Sequence, residues 1–205
     1  TSLKEFVVTE YISSGYYSDI TFSTDGTQMY LVTLYDDEVQ EFALSTAWDI
    51  STATHTQDFS VVTQAVSPSA VRFKSDGTKM FVADYQSPND SIYEYYLSTA
   101  WDISSASYNN TSLDISGKET TIQGIEFNST GTVLYITGYG NDLIHKYTLS
   151  TAYDLSTASF DSSSNNLVTD GDMDQIWGLA LGSSEDEFFV LDRTVASRKL
   201  TKFIN

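Results

Sequence analysis

The octapeptide Leu44-Ser-Thr-Ala-Trp-Asp-Ile-Ser51 occurs three times in this chain with small changes, and its recurrence decides the fold. The second copy is Leu97-Ser-Thr-Ala-Trp-Asp-Ile-Ser104, and the third is Leu149-Ser-Thr-Ala-Tyr-Asp-Leu-Ser156. The copies start 53 and 52 residues apart. A period of this length indicates a repeat fold in which each repeat is one supersecondary unit.

A second shared segment precedes each copy and predicts a β-hairpin. Its versions are Ile20-Thr-Phe-Ser-Thr-Asp-Gly-Thr27, Val71-Arg-Phe-Lys-Ser-Asp-Gly-Thr78 and Ile125-Glu-Phe-Asn-Ser-Thr-Gly-Thr132, with a degenerate fourth, Leu179-Ala-Leu-Gly-Ser-Ser-Glu-Asp186. Asp-Gly between two apolar runs favours a tight turn, because glycine adopts the positive φ that such a turn needs. Each repeat therefore begins with two strands, which we name a and b.

The rest of each repeat predicts two further strands. Strand b is apolar at successive positions, as in Met80-Phe-Val-Ala83, which is typical of a strand covered on both faces. A polar turn and strand c follow, for example Ile92-Tyr-Glu-Tyr-Tyr-Leu97, and strand d comes after the octapeptide. Four strands in each repeat of 51 to 54 residues, without a helical period, predict the blades of a β-propeller.

We therefore expect one all-β domain, a four-bladed β-propeller closed by its N-terminal strand. Its expected parts are residues 1–15 completing blade 4, blade 1 at about 16–66, blade 2 at about 67–120, blade 3 at about 121–174 and blade 4 at about 175–205. The fourth repeat ends after strand c, so Lys4 to Ile12 would pair with Lys199 to Ile204 and remove a free sheet edge. The alternative is a fragment of a larger propeller.

Composition limits the partners that the chain can bind. Its 205 residues include 28 Asp and Glu against 10 Lys and Arg, a net charge of −18, which disfavours nucleic acid as a partner. Nothing resembles an apolar membrane-spanning segment, so we expect no membrane insertion. Cysteine is absent, which excludes disulfides and thiolate chemistry. Because the chain starts at Thr1, we expect a processed protein or an excised domain.

The second repeat resembles a known bacterial family. Asp76-Gly-Thr-Lys-Met-Phe-Val-Ala-Asp-Tyr85, followed by Ile92-Tyr-Glu-Tyr-Tyr-Leu97, is similar to the repeat of lactonase-like and NHL-like propellers. The resemblance implies the fold and not the activity. Those families have six or more repeats and a tight c to d turn, so their catalytic residues do not transfer. The octapeptide is similar to propeller repeats of marine bacteria and their phages, which implies an extracellular or virion-surface protein.

Residues copied in every repeat have a structural interpretation. Trp48, Trp101 and Tyr153 occupy one position of the octapeptide, and Asp49, Asp102 and Asp154 follow them. A row of aromatic rings could stack against a sugar, but a feature present in every blade is better explained as a requirement of the blade's structure. We expect the aspartates to cap turns by accepting backbone N–H bonds, and we interpret Asp25, Asp76, Gly26, Gly77 and Gly131 as turn residues.

Function is better sought where repeats differ, in the b to c turns and d to a loops that share one end of the blades. The predicted ligand-binding residues there are Tyr16, Tyr17, Asp19, Asp36, Asp37, Asp90, Asp142, Trp177 and Arg193. Aromatic rings beside carboxylates suit a sugar, a basic peptide or calcium, although a solvated acidic rim would look the same. Near the axis, Arg72 and Glu126 predict a buried ion pair or, alternatively, a ligand clamp.

The sequence argues against an enzyme. The two histidines, His55 and His145, fall in different blades, so they assemble neither a triad nor a histidine-rich metal site. Asp172 and Asp174 resemble part of a calcium loop that lacks its later ligands, so calcium is the one cofactor suggested.

We expect a non-enzymatic binding or structural module that recognises a glycan, peptide or protein. The alternatives are a lactonase-like or glycosidase-like hydrolase whose acidic loop residues hold a metal, and a passive structural domain. The oligomeric state does not follow from the sequence.

Overall fold

A computed structural model describes residues 3–8, 11, 16–85, 90–164, 176–182, 187–192 and 200–204. These residues form four antiparallel sheets, which confirms the all-β prediction. The chain divides into two compact units: unit 1 is Thr1–Val82 with Tyr93–Asn110, and unit 2 is Ala83–Ile92 with Thr111–Asn205. In the part of the chain that the structure describes, no helix has the length and apolar character needed to span a membrane.

Each of the first three sheets contains four strands in sequence order, as the repeat predicts. Sheet 1 consists of β1 (Tyr17–Phe22), β2 (Gln28–Thr33), β3 (Glu38–Leu44) and β4 (Ala53–Ser60). Sheet 2 consists of β5 (Pro68–Phe73), β6 (Lys79–Asp84), β7 (Ser91–Leu97) and β8 (Ala106–Asp114). Sheet 3 consists of β9 (Ile122–Phe127), β10 (Val133–Gly138), β11 (Ile144–Leu149) and β12 (Ala158–Ser163). Short 3₁₀ turns precede the last strand of each, at Ile50–Thr52, Ile103–Ser105 and Leu155–Thr157.

Sheet 4 contains three strands among the described residues, β13 (Ile176–Leu181), β14 (Glu187–Asp192) and β15 (Leu200–Ile204). Residues 3–8 form no strand, and within the described ranges no fourth strand pairs with β15. Inside unit 1, Phe6 packs edge-on against Phe42 with ring centroids 5.4 Å apart. Closure of the last blade by the N-terminal segment therefore stays a prediction.

The b strands of sheets 1 to 3 are buried on both faces, which confirms the interpretation of their unbroken apolar pattern. In β2, β6 and β10, five of the six residues are buried. The outermost strand β4 instead alternates between half-buried and exposed residues, as expected for a strand with one face in water. Sheets 1 to 3 thus place their most apolar strands centrally and a strand rich in Ser, Thr or Asn at the outer edge.

The octapeptide has the structural role predicted for it. In the second repeat the Trp101 ring lies over Gly77, whose φ is +74°, and a Cβ at that glycine would come 2.5 Å from the ring. The backbone N–H of Trp101 donates to the Gly77 carbonyl at 3.0 Å. Asp102 then accepts the N–H of Ser104 at 3.0 Å. The first and third repeats have the same arrangement, with Trp48 on Gly26 and Tyr153 on Gly131.

Candidate functional site

In sheets 1 and 2 the b to c turn and the loop after strand d lie at one end of the sheet, which we call the b–c end. In sheet 1, Val61 donates its N–H to the carbonyl of Asp37 at 2.9 Å. In unit 2, Ile115 donates to the carbonyl of Asp90 at 3.0 Å. The octapeptide and the a to b turn meet at the opposite end, as the Trp101–Gly77 contact shows. The predicted grouping of loops is thus confirmed in sheets 1 and 2.

Two exposed tyrosines mark the b–c end of sheet 1. Tyr16, just before β1, is 61% exposed, and Tyr35, just after β2, is 53% exposed. Their ring centroids are 5.7 Å apart at an angle of 56°. Leu34 donates its N–H to the Tyr16 carbonyl at 3.1 Å and so holds the two segments side by side. Tyr16 was predicted to bind ligand, whereas Tyr35 was missed, although it directly precedes two predicted aspartates.

Tyr17 has a more internal position than its neighbour. Its hydroxyl donates to Gln40 Oε1 at 2.9 Å, and its ring packs with Phe6 and Val8 on the apolar face of sheet 1. Burial raises the pKa of Tyr17 to about 12, with smaller contributions from the charges of Asp36 and Asp58. Tyr17 therefore fixes the start of β1, and Tyr16 is the exposed ring of the two.

Asp19 and Arg72 join the first strands of sheets 1 and 2 inside unit 1. Asp19 Oδ2 accepts from Arg72 Nη1 at 2.5 Å and from the N–H of Val71 at 3.0 Å. Both charged side chains are largely buried, so removal of either one would leave the other charge without its counter-ion in a poorly solvated site. The predicted partner of Arg72, Glu126, belongs to unit 2, so their pairing stays a prediction.

Unit 2 carries its own aromatic pair. Tyr139 follows β10, and Trp177 lies near the start of β13; their rings stack with centroids 6.1 Å apart and planes within 6°. Asp142, two residues before β11, adopts a φ of 54°, matching the 55° of Asp37 in sheet 1. The two b to c turns therefore have the same left-handed geometry, which aspartate tolerates better than most residues.

The most buried polar pair of unit 2 was not predicted. Glu119 is fully buried, and its Oε1 accepts N–H bonds from Thr120 at 2.9 Å, Thr121 at 3.2 Å and Gly140 at 2.9 Å. Its Oε2 lies 3.8 Å from Nε2 of His145, which is also buried. Burial acts to raise the pKa of Glu119, but the neighbouring His145 imidazole and the hydrogen bonds from the backbone outweigh it and hold that pKa below its usual value.

A sequence signal for this pair exists in the repeat itself. Glu119 occupies the position of Ala65, since each donates its N–H to the residue that begins the loop after strand d. His145 occupies the position of Tyr93 in strand c. Comparing repeats position by position would have identified both as departures. Their geometry ties the loop before β9 to the turn before β11, so the carboxylate acts mainly as a structural anchor.

Asp90 is a second unusual carboxyl group in unit 2. It is buried, and its Oδ1 has no hydrogen-bond partner within the described ranges. Burial raises the pKa of Asp90 to about 6, with the negative charges of Asp84, Glu119 and Asp114 adding to the effect. Asp90 therefore takes up a proton near neutral pH and lies inside the protein, not on an exposed rim.

The last predicted residues to place are the candidate calcium ligands and the two histidines. Arg193, Asp172 and Asp174 lie outside the described residues, so the calcium site stays a prediction. In the described part of the chain, no three Asp, Glu or His side chains are grouped to hold a metal ion. His55 pairs with Asp58 at 2.7 Å at the surface of sheet 1, and His145 hydrogen-bonds Ser163 at 2.8 Å in sheet 3. The structure thus places the two histidines in separate units.

Comparison with solved structures connects this geometry to a known architecture. The chain is similar to a protein from Lactobacillus plantarum, with 17% identity and a TM-score of 0.59 over 92% of this chain and 55% of that one. It is similar to a candidate 6-phosphogluconolactonase from Bacteroides fragilis, with 12% identity and a TM-score of 0.60 over 95% and 55%. The Cps50 (Swd1) β-propeller domain of Myceliophteria thermophila matches at 10% identity and a TM-score of 0.56 over 91% and 52%.

The chain has a β-propeller-like fold. It spans about half the length of the solved structures that it matches. No protein-family model matches the sequence, and no curated protein matches it. At these identities the likeness concerns the fold, and it is consistent with the resemblance to lactonase-like propellers. The resemblance to marine bacterial and phage repeats stays a prediction.

Proposed function

We propose that this chain is a non-enzymatic binding or structural module that recognises a protein, peptide or glycan through its b–c end. The observation that carries the proposal is the exposed pair Tyr16 and Tyr35, held together beside the acidic turn of sheet 1. Aromatic rings that stay exposed forgo the stabilisation that burial of their apolar surface would give, and such rings are typical of recognition surfaces. Such a role suits an extracellular or virion-surface location, which we propose with it.

An array of glycans and peptides tests the binding role. We expect wild-type protein to bind a member of the array, and we expect a Tyr16→Ser, Tyr35→Ser double variant to lose that binding with an unchanged melting temperature. Tyr96→Ser is the matched control, because Tyr96 is 50% exposed on β7, away from the turn. Binding that survives the double variant, or that Tyr96→Ser also removes, would contradict this assignment of the surface.

We further propose that the chain is a single four-bladed ring closed by its N-terminal segment, with an arc of a larger propeller as the alternative. The alternative is supported by the greater length of the matched structures. Deleting residues 1–12 should lower the melting temperature and promote aggregation, because it exposes a sheet edge. Phe6→Ala is the control, since it removes the packing on Phe42 but leaves in place the backbone that would pair with the last blade. Equal effects of the two changes would refute closure.

A hydrolase is the second candidate, favoured by the likeness to two candidate 6-phosphogluconolactonases. Hydrolysis of 6-phosphogluconolactone should then exceed the spontaneous rate, and removal of calcium with a chelator should abolish the excess if acidic loop residues hold the metal. A rate equal to the spontaneous one would eliminate this candidate. If the arrays also show no binding, the passive structural domain is the function that is left.

A further inference from the structure

Ser163 lies at the outer edge of sheet 3, beside a buried histidine of the neighbouring strand. It is the last residue of β12, and its side chain is exposed. Its Oγ lies 2.8 Å from Nδ1 of His145 on β11, the residue that pairs with it across the sheet. A serine hydroxyl within hydrogen-bond reach of an imidazole nitrogen is the first requirement for an activated nucleophile.

Glu119 determines which nitrogen of His145 carries the proton. Its Oε2 lies 3.8 Å from Nε2 of the imidazole, and both side chains are buried, so the carboxylate acts on the ring through its charge. Burial opposes ionisation, but the imidazole and the backbone N–H groups keep the pKa of Glu119 below its usual value, so the group is a carboxylate at neutral pH. This negative charge favours the tautomer that is protonated at Nε2. Nδ1 is then the nitrogen that accepts the hydroxyl proton of Ser163.

The backbone holds the carboxylate in this position. Glu119 Oε1 accepts N–H bonds from Thr121 at 3.2 Å, in the loop before β9, and from Gly140 at 2.9 Å, in the turn before β11. The N–H of Asn141 donates to Oε2 at 3.4 Å. Serine, imidazole and carboxylate thus follow one another in the order of a nucleophile, its general base and the group that orients the base.

An aromatic ring and a cation adjoin the serine. Phe160 lies on the same strand as Ser163, and its ring centroid is 6.4 Å from that of His145. Lys118 Nζ lies 3.9 Å from the centroid of the Phe160 ring. The ring offers contact to an aromatic group of a reactant, and the ammonium group attracts a negative charge on it. The surroundings of the serine therefore favour an aromatic anion.

We propose that Ser163 is an activated nucleophile that accepts the acyl group of an aryl ester whose leaving group carries a negative charge. The Ser163 oxygen forms a bond to the ester carbonyl carbon while its proton passes to Nδ1 of His145. The bond from that carbon to the phenolic oxygen then breaks, and the departing oxygen takes the proton from Nδ1. The products are an acyl-serine and a phenol.

This transfer is a single covalent modification of the chain and requires no turnover. It goes beyond the proposed function, because it concerns a serine of unit 2, whereas the binding role rests on two tyrosines of unit 1. Either proposal can therefore fail without the other.

Mass spectrometry of the full chain treated with para-acetoxybenzenesulfonate tests the site. We expect an acetyl group on Ser163, located by peptide fragmentation, and none on that serine when the chain is unfolded in urea. Ser163→Ala should abolish this adduct. Ser162→Ala is the matched control, because Ser162 is also exposed but its side chain points to the other face of β12, so acetylation of Ser163 should be unchanged.

Three further variants test the assigned roles. His145→Gln should slow acetylation of Ser163 by about a hundred-fold or more, as expected for loss of a general base. Glu119→Gln keeps the shape of the side chain but not its charge, so it should slow acetylation while the circular dichroism spectrum stays that of wild type. Lys118→Gln should slow transfer from the sulfonate ester by about two- to five-fold and leave transfer from neutral para-nitrophenyl acetate unchanged.

Absence of the adduct from Ser163 in the folded wild-type chain would overturn the inference, and this result is decisive even if His145→Gln does not fold. Equal acetylation of Ser162 and Ser163, or acetylation of Ser163 that persists in urea, would overturn it too, because reactivity would then not depend on the folded site. A wild-type rate in Glu119→Gln would refute the orienting role of the carboxylate.

Discussion

Replacing Glu119 by alanine should be among the most damaging single changes in unit 2. The buried carboxylate accepts three backbone N–H bonds through Oε1, from Thr120, Thr121 and Gly140, and Oε2 faces His145. Removing it leaves these donors without their acceptor in a buried site, for which we expect a loss of about 3 to 5 kcal/mol. In a chain of this size that corresponds to about 10 °C in melting temperature.

Thermal and urea unfolding followed by circular dichroism provide the assay. Glu119→Gln keeps the shape and one accepting oxygen, so it should cost about 1 to 2 kcal/mol. Asp161→Ala, which breaks an exposed pair with Lys146, should cost less than about 1 kcal/mol. A melting temperature of Glu119→Ala within about 2 °C of wild type would refute the anchoring role.

The pH dependence of the stability of Glu119→Gln provides an independent check. Because the folded-state pKa of Glu119 lies below its ordinary value, its stabilisation is present above that ordinary value and is lost as the pH falls through the folded pKa. The stability difference between wild type and Glu119→Gln should therefore be largest near neutral pH and shrink below about pH 4. A difference that grows on acidification would contradict the assigned direction.

Three further changes test other parts of the structure. The pKa of Asp90 is raised to about 6, so folding favours its protonated form and the stability of the protein falls as the pH rises from about 4 to about 6. Urea titrations should show that Asp90→Asn is about 1 to 2 kcal/mol more stable than wild type at pH 8 and no more stable at pH 4. Arg72→Met should cost about 3 kcal/mol, and thermal melts should show partial recovery with Asp19→Asn; recovery with Glu126→Gln would instead support the channel pair. Gly77→Ala should lower stability by about 2 to 3 kcal/mol, because a Cβ meets the tryptophan ring at a positive φ, and an unchanged melt would exclude that packing.

The repeat made much of the fold predictable, because it consists of segments whose structure is determined by residues close in sequence. Asp-Gly turns, the aspartate caps and the doubly buried b strands each depend on residues close in sequence, such as Asp102 and Ser104. The outcome was different for pairs distant in sequence. Asp19 and Arg72 lie 53 residues apart, and nothing in either segment alone specifies that they meet.

The candidate site was predictable in position but only partly in composition. Loop order placed Tyr16 and Asp36 at the b–c end, because antiparallel strands fix which connections share an end. Burial could not be inferred in the same way: Tyr17 and Asp90 both have polar neighbours in sequence, yet Tyr17 packs half-buried at the start of β1 and Asp90 is fully buried. Glu119 was overlooked because acidic residues are common here, and only its contrast with Ala65 distinguishes it.

In the first three repeats, the contact between the aromatic ring and the glycine of its own sheet is inherited as one unit. Trp101 and Gly77 belong to one repeat, so a duplicated segment brings both partners of the contact with it. The number of repeats can therefore change by copying or loss of gene segments while this contact is preserved. Among relatives of this chain, the glycine and the aromatic residue should be inherited together, and a repeat that loses one should soon lose the other.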